Sequence, residues 1–171
     1  MQSESARMTT AREASYRVQY PNSKPRAVKV IALDPASARI VDEISKKSWN
    51  GAAFFTAPSF TTEETPGATG SGLKAWLKDL AGRTMDLVSE IEHCDFAVVI
   101  TTAGTDARAV SVIADACALY HKSLVGLVVP GTDDSDAAVT QSMKHLRPYT
   151  RMLVIASGTD YIEAMLTALR A

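Results

Sequence analysis

Short runs of β-branched and aliphatic residues alternate along this chain with segments of helical periodicity, and that alternation constrains the fold more than any other feature. Val28-Lys29-Val30-Ile31-Ala32-Leu33 is the first such run, stopped by Asp34-Pro35, and further runs span 52–55, 95–101, 124–129 and 152–156. Near-continuous apolar character is what a strand covered on both faces requires. Between the runs, Ile40, Val41 and Ile44 recur at helical spacing behind Ser37, the expected N-cap, and Asn50-Gly51 stops the segment. Leu73, Trp76, Leu77 and Leu80, then Met85, Leu87, Val88 and Ile91, predict a helix over 73–91 that pauses at Gly82. Val110, Ile113, Ala114, Cys117 and Tyr120 line one face of a helix opening near Thr105, and helices are also expected over 133–147 and 159–170. Parallel neighbours need crossover connections. The expected fold is therefore a three-layer α/β sandwich on a five-stranded parallel sheet of order 2-1-3-4-5, with its switch point between strands 1 and 3.

Composition narrows the function classes. The chain has 171 residues, 46% of them hydrophobic, enough for one folded domain over 27–171. Eighteen Lys and Arg against nineteen Asp and Glu leave a net charge of −1, so no basic field points to nucleic acid or to an anionic membrane, and neither is an expected partner. No apolar run approaches the roughly 20 residues of a membrane span, and residues 1–20 lack a secretory h-region. Two cysteines, Cys94 and Cys117, cannot form a disulfide framework, and a reducing, cytoplasmic setting is expected. Residues 1–26 are polar, with Pro21, Pro25 and a basic bias from Arg7, Arg12 and Arg17; they read as a flexible arm, with room for a short strand at 16–20.

In a doubly wound sheet, ligands bind outside the carboxyl ends of the strands. Asp34 and Ser37 follow strand 1. Thr101, Thr102, Gly104, Thr105, Asp106 and Arg108 follow strand 3, Gly131 and Thr132 follow strand 4, and Ser157, Gly158 and Thr159 follow strand 5. These small, hydrogen-bonding residues border helix N-termini that suit an anion, with Arg108 as its cationic contact; the same residues also serve as ordinary caps. The Gly-rich loop over 56–72 contributes Gly70, Ser71 and Gly72. Its spacing approaches a P-loop, but Leu73 stands where that motif needs Lys, which leaves a surface loop or a phosphate-covering lid.

The order of elements, together with Gly51-Ala52-Ala53-Phe54-Phe55, Thr65-Pro66-Gly67-Ala68-Thr69-Gly70-Ser71-Gly72, Cys94-Asp95-Phe96-Ala97-Val98-Val99-Ile100-Thr101 and Leu124-Val125-Gly126-Leu127-Val128-Val129, resembles the GTP-binding domain of FtsZ and tubulin-like proteins over about residues 27–159. The resemblance implies a Rossmann-like nucleotide-binding domain. Three departures limit what it carries over. The first loop, Asp34-Pro35-Ala36-Ser37-Ala38, lacks glycine and Asn. The phosphate loop shrinks to Ala103-Gly104-Thr105-Asp106-Ala107-Arg108, and the second domain, which in that family supplies the catalytic loop to the neighbouring subunit, is not expected here. GTP hydrolysis and filament formation are accordingly not expected.

Three functions follow as alternatives. The first is a non-hydrolysing domain that binds a nucleotide or another small phosphorylated molecule. The second is a ligand-free partner-binding or homo-oligomeric module. The third is a metal-assisted hydrolase or phosphotransferase, with Asp34, Asp106, Asp133 or Asp134 holding Mg²⁺. Thr101-Thr102-Ala103-Gly104-Thr105 is also similar to the Ser/Thr-rich phosphate turn of phosphosugar-binding isomerase-type domains. No catalytic residue is assigned: His93, His121 and His145 form no recognisable Ser-His-Asp or Cys-His pattern. Cys117 is expected in the core, Cys94 is either core or reactive, and Trp49 and Trp76 are expected to pack from helices.

Overall fold

The computed structural model describes residues 24–57, 75–105, 107–131 and 135–171. The expected arm up to residue 23, its strand at 16–20 and most of the Gly-rich loop lie outside these residues, as do Gly70, Ser71, Gly72, Asp106, Thr132, Asp133 and Asp134. The described residues form one mixed sheet of seven strands: β1 (Val28–Ala32), β2 (Ala52–Thr56), β3 (Trp76–Asp79), β4 (Thr84–Asp86), β5 (Phe96–Thr102), β6 (Ser123–Val129) and β7 (Met152–Ile155). Five helices accompany them: α1 (Pro35–Ser45), α2 (Leu87–Glu92), α3 (Ala109–Leu119), α4 (Asp136–Leu146) and α5 (Thr159–Ala168). The sheet order is β4-β3-β2-β1-β5-β6-β7.

Five of these strands, β2-β1-β5-β6-β7, pair in parallel. The expectation of a five-stranded, wholly parallel sheet is corrected by the other two, because β3 pairs antiparallel with β2 and β4 with β3. They occupy much of the segment read as one helix over 73–91. The local reason is a turn. Gly82 takes φ +80, its N–H donates to the Asp79 carbonyl (2.9 Å), and the Asp79 N–H donates to the Arg83 carbonyl (3.0 Å). Those bonds describe a type I turn closed by a left-handed residue, the form of a three-residue hairpin loop. The Asp79 carboxylate fixes the loop further by accepting from the Arg83 N–H and Nε, each at 2.7 Å. Leu77 then points inward, fully buried, while Trp76 is 51% exposed on a strand rather than packed from a helix. Only 87–92 keeps helical form, opened by the Asp86 carboxylate accepting from the Ser89 N–H (3.1 Å).

Two apolar layers cover the sheet. Val28, Val30 and Ala32 of β1, Val98 and Ile100 of β5 and Leu127 of β6 face α1 and α5, which contribute Val41, Ile44, Ile162 and Leu166. The alternate residues, among them Ile31, Ala97, Val99, Leu124 and Val128, face α2, α3 and α4. Period-two alternation within each strand thus supplies both cores. Parallel pairing turns the carboxyl ends of these five strands to one rim.

Candidate functional site

At that rim the chain leaves β1 for α1 and β5 for α3, on opposite faces of the sheet. Asp34, 8% exposed, sits at the junction. Its Oδ1 accepts from the N–H groups of Ala36 (3.0 Å) and Ser37 (2.8 Å) and from Thr102 Oγ1 (2.5 Å), and its Oδ2 accepts from the Thr102 N–H (2.9 Å). With Thr105 Oγ1 at 3.3 Å from Oδ2, five donor groups fill the roughly four acceptor positions of a carboxylate. Asp34 is therefore the N-cap of α1, correcting the expectation that placed Ser37 there. Ser37 occupies the third helical position, and its hydroxyl accepts from the Asp34 N–H (3.1 Å), completing a capping box. The reason is geometric: Pro35 has no N–H to lose and starts the helix, which leaves the preceding residue to cap it.

Burial pushes the Asp34 carboxyl up, but the Thr102 hydroxyl, the Ser37 and Thr102 amides and the Ser37 hydroxyl together hold it below the usual carboxylate range. The same network orders the loop after β5. Thr105 Oγ1 donates to the Thr102 carbonyl (2.7 Å) and lies 3.0 Å from Oγ1 of the fully buried Thr101. Asp34, Ser37, Thr101, Thr102 and Thr105 are thus brought together, with the carboxylate acting inward as a clamp between β1 and β5.

The open volume lies one strand further along. A cavity of about 300 Å³ separates the β5–α3 loop from α4. Gly104, Thr105 and Arg108 line it from the loop, and Gln141, Ser142 and His145 line it from α4. Ser142, 2% exposed, accepts from the Gly104 N–H (3.0 Å), and Gly104 takes φ +78. A Cβ at Gly104 would meet Ala138 of α4 at 3.6 Å, so the loop lies close on the helix. No carboxylate occurs among the described residues lining this cavity. Arg108 precedes α3 without giving it a side-chain cap. Gly131, exposed beyond β6, does not line the cavity.

Sequence reading missed Gln141, Ser142 and His145. The available signal was a polar Ser142 at helical spacing between Ala138 and Leu146, on the face that packs. The cysteines are settled by burial: Cys117 is pushed up to about 12 by desolvation, with Cys94 adding to it. Cys94 is also raised by burial, and its Sγ donates to the Ile91 carbonyl (3.2 Å). Neither thiol has thiolate character. Trp49 packs, but from the loop after α1 rather than from a helix, its ring 6.1 Å from that of Phe54 and its Nε1 donating to the Ile44 carbonyl. Among the described residues no three His, Cys, Asp or Glu side chains gather where they could hold a metal, and no helix is long and apolar enough to cross a membrane. No protein-family model and no curated protein matches the chain.

Proposed function

We propose that this protein is a non-hydrolysing binding domain for a small phosphorylated molecule, a nucleotide or a sugar phosphate, whose anion sits between the β5–α3 loop and α4. The observation that carries the reading is the cavity at the carboxyl rim. The described residues lining it offer a guanidinium, an imidazole, an amide and two hydroxyls, and no carboxylate. Its volume is at the lower end of small-molecule sites, enough for a phosphate and part of its carrier. Arg108 and His145 bind the anion, Gln141 orients it, Thr105 holds the loop through the Thr102 carbonyl, and Ser142 holds the Gly104 backbone in place. Asp34, Ser37, Thr101 and Thr102 position the loop and do not touch the ligand. From the FtsZ and tubulin resemblance the reading keeps a phosphate at the strand ends and drops hydrolysis.

The metal-assisted alternative has no comparable support, because Asp34 already spends its acceptors on protein donors. A self-associating module has one observation on its side. The outer strand β7 leaves Met152 39% and Ile155 45% exposed, an edge on which a second copy could pair.

Thermal unfolding with nucleotides, sugar phosphates and divalent ions separates these functions. A ligand at 100 times its dissociation constant adds about 2.7 kcal/mol. The expected result is stabilisation by a phosphorylated compound without added metal, weakened at least about tenfold in Arg108→Ala, since a charged hydrogen bond contributes about 1.5–3 kcal/mol. Stabilisation by none of them, with a dimer in light scattering, would transfer support to self-association.

A further inference from the structure

A second cavity, of about 310 Å³, lies at the opposite, amino-terminal rim of the sheet, where α3 ends and β6 and β7 begin. Its floor is apolar, formed by Cys117 and Ala118 of α3 and Leu124 of β6. Its rim is not. Lys122 and Arg151 stand on it with His121 and the Tyr149 phenol, and no carboxylate occurs among the described residues that line it. Acidic and basic residues are almost equal in number in this chain, so a cationic rim without a counter-charge departs from the overall mixture. Four cations elsewhere in the described residues are held in ion pairs: Lys29 with Glu90, Lys46 with Asp42, Lys47 with Glu163 and Arg83 with Asp79. Among the described residues Lys122 and Arg151 have no such partner.

The rim is also held in place by its backbone. The His121 N–H donates to the Ala118 carbonyl (3.2 Å) and the Lys122 N–H to the Cys117 carbonyl (2.8 Å). This pair of bonds is a Schellman cap with His121 at the left-handed position, φ 55, where glycine is the usual occupant. A non-glycine residue there costs roughly 1–2 kcal/mol. On the other side the Arg151 N–H donates to the Leu124 carbonyl (2.9 Å). Attraction to the end of α3 accounts for His121 and Lys122. It does not account for Arg151, which reaches the same cavity from the β7 side.

We infer that this cavity is a second ligand site, one that takes a phosphate monoester carried on a small apolar body. A monoester carries about −1.5 to −2 charges at neutral pH, which matches Lys122 and Arg151 together. The guanidinium fork suits two phosphate oxygens, the Tyr149 hydroxyl donates to a third, and the floor covers the hydrocarbon part. The volume limits that part to about the size of one ring.

The test titrates phenyl phosphate into the isotopically labelled full chain, alongside inorganic phosphate and phenol. The expected result is saturable amide shifts at residues 117–124 and 149–153. Affinity should fall about tenfold or more in both Arg151→Gln and Lys122→Gln, from loss of a charged hydrogen bond, and stay unchanged in Arg108→Ala. Inorganic phosphate should bind the same amides more weakly and phenol should not saturate them. Both glutamine substitutions fall outside the cores, and spectral dispersion confirms the fold of each variant. Absence of shifts at these amides, affinity unchanged in both glutamine variants, or phenol binding as tightly as its phosphate would overturn the assignment. Because Arg108 lies at the other rim, failure here leaves the carboxyl-rim reading standing, and the reverse also holds.

Discussion

At the scale of single residues, Asp34 links the architecture to the site. Truncating it to Ala leaves the Ser37 and Thr102 amides without their acceptor, and a buried donor left unpaired costs about 1–3 kcal/mol. The lost cap adds about 1 kcal/mol. Denaturant unfolding of Asp34→Ala at neutral pH should show a loss of that order, with the Thr102 amide exchanging faster. A loss below about 0.5 kcal/mol, the usual size of a neutral surface change, would mean that the clamp is not holding the loop. The pH dependence has a definite sign. The folded carboxyl lies below its unfolded value of about 3.9, so its contribution is fully present above that value and is lost as the pH falls through the lower, folded one. The stability difference between wild type and Asp34→Asn should therefore be constant from pH 7 to 5 and narrow below about 4. A difference that stayed constant down to pH 2.5 would show that ionisation of Asp34 does not contribute.

At the scale of elements, the β3–β4 hairpin depends on one left-handed residue. A Cβ at Gly82 meets nothing within 4 Å, so substitution there probes backbone conformation without a clash. Alanine should cost roughly 1–2 kcal/mol and asparagine less, because its side chain tolerates that region. Thermal midpoints in the order Gly, Asn, Ala check this, and equal midpoints for all three would contradict the turn. The hairpin also shows where sequence reading stopped. The five parallel strands were legible because burial on both faces enforces continuous apolar runs such as Phe96-Ala97-Val98-Val99-Ile100. β3 and β4, four and three residues long, are too short to display an alternation of their own, while Trp76 and Leu77, with Leu80 of the turn that follows, fit helical spacing. What separates hairpin from helix is Gly82 combined with an Asp79 that turns back onto Arg83, a local signal confined to one short loop. The carboxyl-rim loops were legible as a class, since small polar residues follow buried strands. Their partners on α4 were not, because helical periodicity orders a face without saying which loop it meets.

At the scale of the whole molecule, stability is graded across the sheet. β5 and β6 form its centre of burial: residues 97–100 of β5 and Leu127 and Val128 of β6 are fully buried, and the two strands pair along seven residues. The hairpin at one edge pairs with β2 through only two residue pairs, Phe55 with Asp79 and Thr56 with Lys78. Local opening follows the number of buried contacts that must be given up, so the hairpin should open without the centre. Hydrogen exchange on the native protein should find the amides of Val98, Val99 and Leu127 protected up to the global unfolding free energy. The Leu77 and Asp79 amides should exchange at least about a hundredfold faster, a gap of some 2.7 kcal/mol. This grading bears on function because both cavities adjoin the stable centre: one lies beside the loop leaving β5, the other at the start of β6. Rigid support of that kind lowers the ordering cost of binding. If the hairpin and β5 exchanged at a single rate, the sheet would open as one unit, and binding at either rim would slow exchange everywhere. Under graded opening, a ligand at the carboxyl rim slows exchange at Gly104 and Thr105 and leaves Leu77 and Asp79 unchanged.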